Sequence, residues 1–185
     1  MLLRKLIPVF IFLSLVFSAS AQRSANWFFG FNAGIKFTSS GLINQPTSVV
    51  TTDEGCSSIS DTAGNLLFYT DGITVWNKNH VVMTNGSGLW GHSSSSQSSI
   101  VMPMPGSNTL YYLFTATLPF VTNGNYTYNV IDMSLQGGLG EVVQKNVVFG
   151  GSRCSERITA VQHANKKDFW IVTNPLNTDS FKVYL

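Results

Sequence analysis

Short runs of apolar and β-branched residues, separated by polar turns, dominate the sequence after residue 22. Apolar residues never recur at the three- and four-residue spacing of an amphipathic helix for more than one turn. Valine, isoleucine, threonine and aromatic residues fill the runs, and glycine, asparagine and proline fill the gaps, which is typical of strands joined by turns. The predicted strands are Trp27–Phe29, Ile35–Phe37, Cys56–Ser60, Leu66–Thr70, Thr74–Trp76, Ser98–Met102, Leu110–Ala116, Tyr126–Asp132, Val142–Phe149, Ile158–His163, Phe169–Thr173 and Ser180–Leu185. The pattern therefore predicts an all-β fold.

Three segments, beginning at Cys56, Ser98 and Ile158, repeat one order of elements. Each has a small or apolar strand, a tight polar turn, an aromatic-rich strand that includes threonine near its end, and a third strand. The first two segments are offset by 41 residues (from Ile59 to Ile100), close to the period of roughly 40–50 residues of a propeller blade. We assign the longer offset to the third segment to an insertion at 118–125.

The repeat predicts antiparallel, β-propeller-like blades, about three of them in an incomplete ring. Small residues suit first strands at the crowded centre, and bulky aromatics suit second strands between neighbouring blades. A closed ring needs roughly four to eight blades, so we expect residues 22–185 to be part of a larger domain that continues beyond Leu185. We also expect Trp27–Phe37 to complete a blade outside this sequence, and therefore to be loosely attached here.

The first 21 residues have the pattern of a secretory signal peptide. Arg4 and Lys5 precede an apolar run at Leu6–Phe17, and Ala19-Ser20-Ala21 is a small-x-small cleavage site. A membrane-spanning helix needs roughly 20 apolar residues, and this run has 12. We expect an exported protein, secreted or at the cell surface, with no membrane insertion after cleavage.

Composition excludes several classes of partner and fold. Cleavage would remove two of the 11 Lys and Arg residues and none of the nine Asp and Glu residues, which leaves a formal charge of 9 − 9 = 0. A neutral chain lacks the basic surface of a nucleic-acid-binding protein. An aromatic content of 12% argues against intrinsic disorder.

Several motifs resemble the N-terminal, propeller-like region of large exported Bacteroidota proteins. The matching segments are Asn26–Gly34, Glu54–Asp61, Gly64–Gly72, Val75–His80, Asn85–Gly88, Ser95–Ser98 and Glu156–His163. Proteins of that group carry a gliding-motility-associated sorting domain for type IX secretion far downstream. The resemblance implies that export route and supplies no catalytic residues.

Two cysteines, Cys56 and Cys154, lie 98 residues apart. In an exported protein a disulfide between them would contribute about 4–5 kcal/mol in the chain-entropy model. Two small buried thiols fit the sequence equally well. The spacing of these cysteines to the three histidines matches no zinc pattern, and we predict neither a metal nor another cofactor.

Other motifs favour structural roles. Gly86–Gly91 matches a dinucleotide-binding fingerprint, and Ser93 sits in a partial nucleophile elbow, but neither has the surrounding strand and helix that those sites require. Turn or strand-end positions predict that Asp61, Asp71 and Asp132 support turns. His80 and His163 are predicted to be hydrogen-bonded structural imidazoles.

Most aromatic residues fall in predicted strands, where packing between blades explains them. Trp90 lies instead in a loop rich in glycine and serine, and we select it as the candidate ligand-binding residue. The sequence as a whole favours a non-catalytic recognition or scaffold module that binds a surface ligand, glycan or protein. A carbohydrate-binding adhesin is one alternative, and a carbohydrate hydrolase or lyase with acidic residues at a central channel is another.

Overall fold

The computed structural model describes residues 22–120, 124–151 and 153–185, so the predicted signal peptide lies outside the described residues. The strands in this part of the chain are β1 (Asn26–Phe29), β2 (Ala33–Thr38), β3 (Gly41–Asn44), β4 (Ser57–Ser60), β5 (Leu66–Thr70), β6 (Thr74–Asn77), β7 (Val82–Ser87), β8 (Ser99–Pro103), β9 (Leu110–Ala116), β10 (Tyr126–Asp132), β11 (Glu141–Phe149), β12 (Cys154–Gln162), β13 (Phe169–Pro175) and β14 (Lys182–Tyr184). A single turn of 3-10 helix occupies Gln136–Gly138, and the described residues contain no α-helix. The predicted all-β fold is confirmed.

The strands form four successive antiparallel meanders, which we name units A (β1–β3), B (β4–β7), C (β8–β11) and D (β12–β14). Units B, C and D correspond to the three predicted repeats. Units B and C also join into one eight-stranded sheet, because β7 and β11 pair in parallel through Thr84 and Glu141. This link was not predicted, since propeller blades meet through side chains, and the propeller-like arrangement itself stays a prediction.

The units stack face to face, and an apolar core lies between each pair of neighbours. Phe28 of unit A stacks on Tyr69 of unit B, with ring centroids 4.4 Å apart. Phe68 of unit B meets Tyr111 of unit C edge to face at 5.7 Å. A third cluster, between units C and D, contains Tyr126, Ile158 and Ile171 among its buried members.

The first strands of units A to D lie side by side, and small residues allow this close approach. The Ser57 hydroxyl donates to the Ser99 carbonyl at 2.7 Å, which joins β4 to β8. The Asn26 amide donates to the Ser60 hydroxyl at 2.8 Å, which joins β1 to β4. The preference for small residues in the predicted first strands thus has a steric cause.

The expectation that the N-terminal segment is loosely attached is wrong. Unit A is a meander of its own that packs on unit B through the buried ring of Phe28. Trp27, on the opposite face of β1, is half exposed and lies beside Phe37. Alternation along β1 therefore places one aromatic residue in the core and leaves its neighbour at the surface.

The sequence pattern does not predict two of the strands, β3 and β7, and each omission has a local cause. β3 is a four-residue strand whose side chains are all exposed, so it lacks the alternation that marks a half-buried strand. β7 contains Asn85-Gly86, a pair typical of turns. Asn85 adopts a positive φ of 57° there, and its side-chain amide donates to the Val142 carbonyl at 2.7 Å. No helix in the described residues is long and apolar enough to cross a membrane.

Candidate ligand-binding groove

A groove of about 520 Å³ opens between units C and D. Its walls are mainly aromatic rings and methionine side chains. The lining residues include Met102, Tyr112, Phe114, Tyr128, Phe169 and Tyr184. Ligand pockets are typically concave, mostly apolar and roughly 300–1,000 Å³ in volume, so this groove has the dimensions of a binding site.

Strand register explains why these rings share one wall. Tyr112 of β9 is paired with Met102 of β8, and Phe114 of β9 is paired with Tyr128 of β10. Directly opposed residues project from the same face of a sheet, as do residues two apart along one strand. Tyr112 and Tyr128 meet edge to face at 5.8 Å, an arrangement that favours a fixed ring orientation.

The opposite wall is anchored by Tyr184 of β14. Its ring meets Phe149 edge to face at 5.3 Å, and Phe149 in turn meets Phe114 at 5.3 Å. Gly150 permits this approach, because a Cβ at that position would lie 2.9 Å from the Tyr184 hydroxyl. A chain of edge-on rings thus connects the two walls.

Three tyrosines, Tyr112, Tyr128 and Tyr184, line the groove. The Tyr184 hydroxyl is buried and has no hydrogen-bond partner in the described residues. A buried hydroxyl without a partner costs about 1–3 kcal/mol, and its burial closes this hydroxyl off from the groove. Tyr112 and Tyr128 line the same groove, and neither hydroxyl is hydrogen-bonded within the described part of the chain.

A second cavity of about 680 Å³ adjoins the groove at Met104, Pro105 and Phe169, which line both. We call it the mouth. Three cationic side chains lie along it: Arg23, Lys166 and Lys167. The Arg23 guanidinium donates to the Tyr111 hydroxyl at 3.3 Å, which uses one of its five donors.

The two lysines of the mouth are held by a rigid turn between β12 and β13. The Asn165 side-chain oxygen accepts hydrogen bonds from the Lys167 and Asp168 amides at 2.9 and 3.0 Å. Lys166 has a positive φ of 60°, and its carbonyl accepts from the Gln162 amide at 3.0 Å. The Asp168 carboxylate lies at the rim of the groove and accepts from the Asn165 amide at 2.5 Å. The mouth and rim together carry three cations and one anion.

Trp90, the residue selected from the sequence, lies in the loop after β7 and is 36% exposed. Its backbone amide donates to the Asn146 side chain at 3.0 Å. The indole lines neither the groove nor the mouth. Trp90 as a ligand contact stays a prediction, and it concerns a different part of the surface.

The two cysteines carry free thiols, and each thiol donates a hydrogen bond to a different backbone carbonyl. The Cys56 thiol donates to the Phe28 carbonyl at 3.2 Å, and the buried Cys154 thiol donates to the Thr117 carbonyl at 2.7 Å. Burial raises the pKa of both thiols, and the Asp71 carboxylate adds to the rise at Cys56. Cys154 is buried and Cys56 is half-buried, and the possible Cys56–Cys154 disulfide stays a prediction.

The predicted turn aspartates are confirmed. Asp61 Oδ1 accepts from the Ala63 amide at 2.8 Å, and Asp71 Oδ1 accepts from the Thr74 amide at 2.7 Å. Asp132 Oδ1 accepts from the amide and the hydroxyl of Ser134, and these hydrogen bonds lower the pKa of the Asp132 carboxyl.

Both predicted structural histidines are also hydrogen-bonded. The His80 ring contacts the hydroxyls of Thr47 and Tyr69 at 2.9 and 3.0 Å. The His163 ring accepts from the Asn165 amide at 3.0 Å. The described residues contain no group of three or more His, Cys, Asp or Glu side chains that could hold a metal ion.

Gly86 and Ser87 end β7, and the rest of the glycine-rich and serine-rich motifs lies in the loop between β7 and β8. No helix follows Gly86–Gly91 in the described chain, and Gly91 bonds to the backbone of Gly72 at 2.9 Å. The Ser93 carbonyl accepts from the Glu54 amide at 3.0 Å, so this residue ties two loops together.

No family model, curated protein or solved structure matches this chain. The resemblance to exported Bacteroidota proteins therefore stays a prediction. The groove has to be interpreted from its own residues, and Tyr112 and Tyr128 lie in strands for which the sequence predicts packing. The sequence does offer one indication that these two tyrosines contact a ligand. A tyrosine that faced only an apolar core would leave its hydroxyl without a hydrogen-bond partner.

Proposed function

We propose that this protein is an exported, non-catalytic recognition module of a larger cell-surface or secreted protein. The observation that carries the proposal is the groove between units C and D. It is concave and is lined by aromatic rings, among them those of Tyr112 and Tyr128, whose hydroxyls have no hydrogen-bond partner within the described residues. Such surfaces bind ligands by stacking and hydrogen bonding.

Exposed faces at both ends of the stack support the scaffold part of this proposal. On unit A the side chains of Trp27, Phe37 and Leu42 project from one face, and Leu42 is 65% exposed. On unit D Val161 and Val183 are more than half exposed. Further sheets stacked on these faces would extend the array in the manner of a propeller.

A binding screen on residues 22–185 tests the proposal. We expect a glycan array and isothermal titration calorimetry to find a ligand that wild type binds and that Tyr128→Ala binds at least about tenfold more weakly, or 1.4 kcal/mol. Trp90→Ala is the companion variant and should retain binding if the groove is the site. Loss of binding in Trp90→Ala, with Tyr128→Ala unaffected and both variants folded, would move the site to the Trp90 loop.

One observation favours an enzyme as the second candidate. Ser96 Oγ donates to the Glu54 carboxylate at 2.9 Å, and the Ser96 amide donates to the Glu156 carboxylate at 3.0 Å. Two carboxylates, one from the loop before β4 and one from β12, are therefore gathered at one serine in the loop before β8. Glycoside hydrolases use such pairs as acid and nucleophile or base.

Reducing-end release from a panel of polysaccharides tests this second candidate. An enzyme would lose its activity in both Glu54→Gln and Glu156→Gln, whereas the neighbouring Asp53→Asn would retain it. Absence of any release by wild-type protein would remove the hydrolase and leave the recognition module.

A further inference from the structure

We propose that the groove and its mouth together bind an acidic oligosaccharide, a glycan chain that carries carboxylate or sulfate groups. The inference rests on the proposed recognition function and specifies its ligand class. The groove would hold sugar rings, and the mouth would hold their anionic substituents.

The inner part of the site has the chemistry that sugars require. Pyranose rings present an apolar C–H face, which packs on aromatic rings, and hydroxyls at their edges, which need hydrogen-bond partners. Tyr112 and Tyr128 supply both, as aromatic surfaces whose hydroxyls are unpaired in the described chain.

The mouth adds a local excess of positive charge. Arg23, Lys166 and Lys167 line it, while the adjoining groove carries a single acidic side chain, Asp168. Residues 22–185 carry equal numbers of cationic and anionic residues, nine of each. This concentration of cations therefore departs from the balance elsewhere and complements an anionic ligand.

Backbone hydrogen bonds fix the turn from which both lysine side chains project. The turn that carries both lysines is closed by the Lys166 amide, which donates to the His163 carbonyl at 2.9 Å. The Asn165 side chain fixes the next two amides. A preorganised turn loses less conformational entropy on binding, so more of the interaction free energy appears as affinity.

The two adjoining cavities, about 520 and 680 Å³, offer more room than one sugar ring occupies. Their continuity through Met104, Pro105 and Phe169 suits a short linear chain that lies across both. An extended nucleic acid would need a broad basic surface, which a neutral chain lacks. An acidic oligosaccharide satisfies the aromatic wall, the free hydroxyls and the cationic mouth together.

Calorimetry with three probes tests the inference on residues 22–185: an oligogalacturonate, its neutral galactose-based counterpart and a sulfated galactan oligosaccharide of the same length. We expect at least one acidic probe to bind about tenfold more tightly than the neutral probe at low ionic strength. The difference should shrink as salt is added, because salt screens exposed charges. A preference between the two acidic probes would identify the anionic group.

The variant Lys166→Ala/Lys167→Ala should bind the acidic probe no better than the neutral one. Lys36→Ala/Lys78→Ala removes the same charge away from both cavities and is the matched control. Equal binding of acidic and neutral probes by wild type would overturn the inference while leaving the recognition function intact. Equal loss of affinity for the acidic probe in both double variants would also overturn the inference. The probe would then be attracted by the overall charge of the protein and not by the lysines of the mouth. Failure of wild type to bind any glycan, on the array or in calorimetry, would refute glycan recognition by this groove together with the inference.

Discussion

The attachment of unit A to unit B can be tested by the substitution Phe28→Ala. Phe28 is 2% exposed, and its ring stacks on Tyr69 with centroids 4.4 Å apart. Removing a fully buried phenylalanine costs about 3–5 kcal/mol, because apolar contacts are lost and a cavity remains. We expect about 3 kcal/mol, since the cluster around Phe28 is small. For a chain of this size that corresponds to a decrease in Tm of roughly 6–12 °C.

Phe29→Ala is the matched control, because it removes the same side chain one position further along β1. Phe29 is 40% exposed and projects from the opposite face. Its loss should cost about 1 kcal/mol. Urea unfolding followed by tryptophan fluorescence gives both free energies by linear extrapolation. Equal effects of the two substitutions would show that unit A is held without the Phe28 contact and would refute the packing argument.

Three further predictions concern single positions. Gly72→Ala should destabilise the protein by about 2–3 kcal/mol, because φ is +89° at Gly72 and a Cβ there would lie 2.1 Å from the Ser98 hydroxyl. Gly88→Ala is the control, since φ is +72° in open space, and it should cost about 1 kcal/mol. Equal Tm shifts in the two variants would contradict this steric explanation. Burial raises the pKa of the Cys56 and Cys154 thiols, so the folded, unreduced protein should react slowly with a thiol reagent at about pH 7. After denaturation without a reductant, the same reagent should titrate two thiols per chain. If it titrates none, the two cysteines form a disulfide. Burial lowers the pKa of His80, so on acidification the unfolded chain takes up a proton near pH 6.5 before the folded protein does. The free energy of unfolding, and with it Tm, should therefore decrease below that pH. In His80→Asn the decrease in Tm with pH should be smaller.

Local chemistry made most of the strands and turns predictable. Leu66–Thr70, Leu110–Ala116 and Tyr126–Asp132 were predicted with their observed bounds, because dense β-branched and aromatic runs end there at turn residues. An aspartate at a turn bonds to amides two or three residues away, so its role is encoded within one short segment. Local chemistry was misleading at β7, because the pair Asn85-Gly86 is typical of a turn and yet lies within this strand.

The candidate groove was not predictable in this way, because its two walls come from units C and D. Alternation places Tyr112 and Tyr128 on one face, but it does not show whether a neighbouring unit covers their hydroxyls. The cationic mouth similarly combines Arg23, from the start of the described chain, with two lysines about 140 positions later. Only the stacking of whole units brings these residues together.

The location of the groove follows from how the outer edges of the units are joined. Units B and C are linked at their outer strands by the Thr84–Glu141 pair, and Lys145 adds a hydrogen bond to the Ser87 carbonyl at 2.9 Å. Their facing surfaces are thereby held together around a buried core. In the described residues no strand pairing joins unit C to unit D. Aromatic edges such as Phe149 against Tyr184 hold these two units together instead. The groove lies between these two units, whose outer strands are not paired with each other in the described residues.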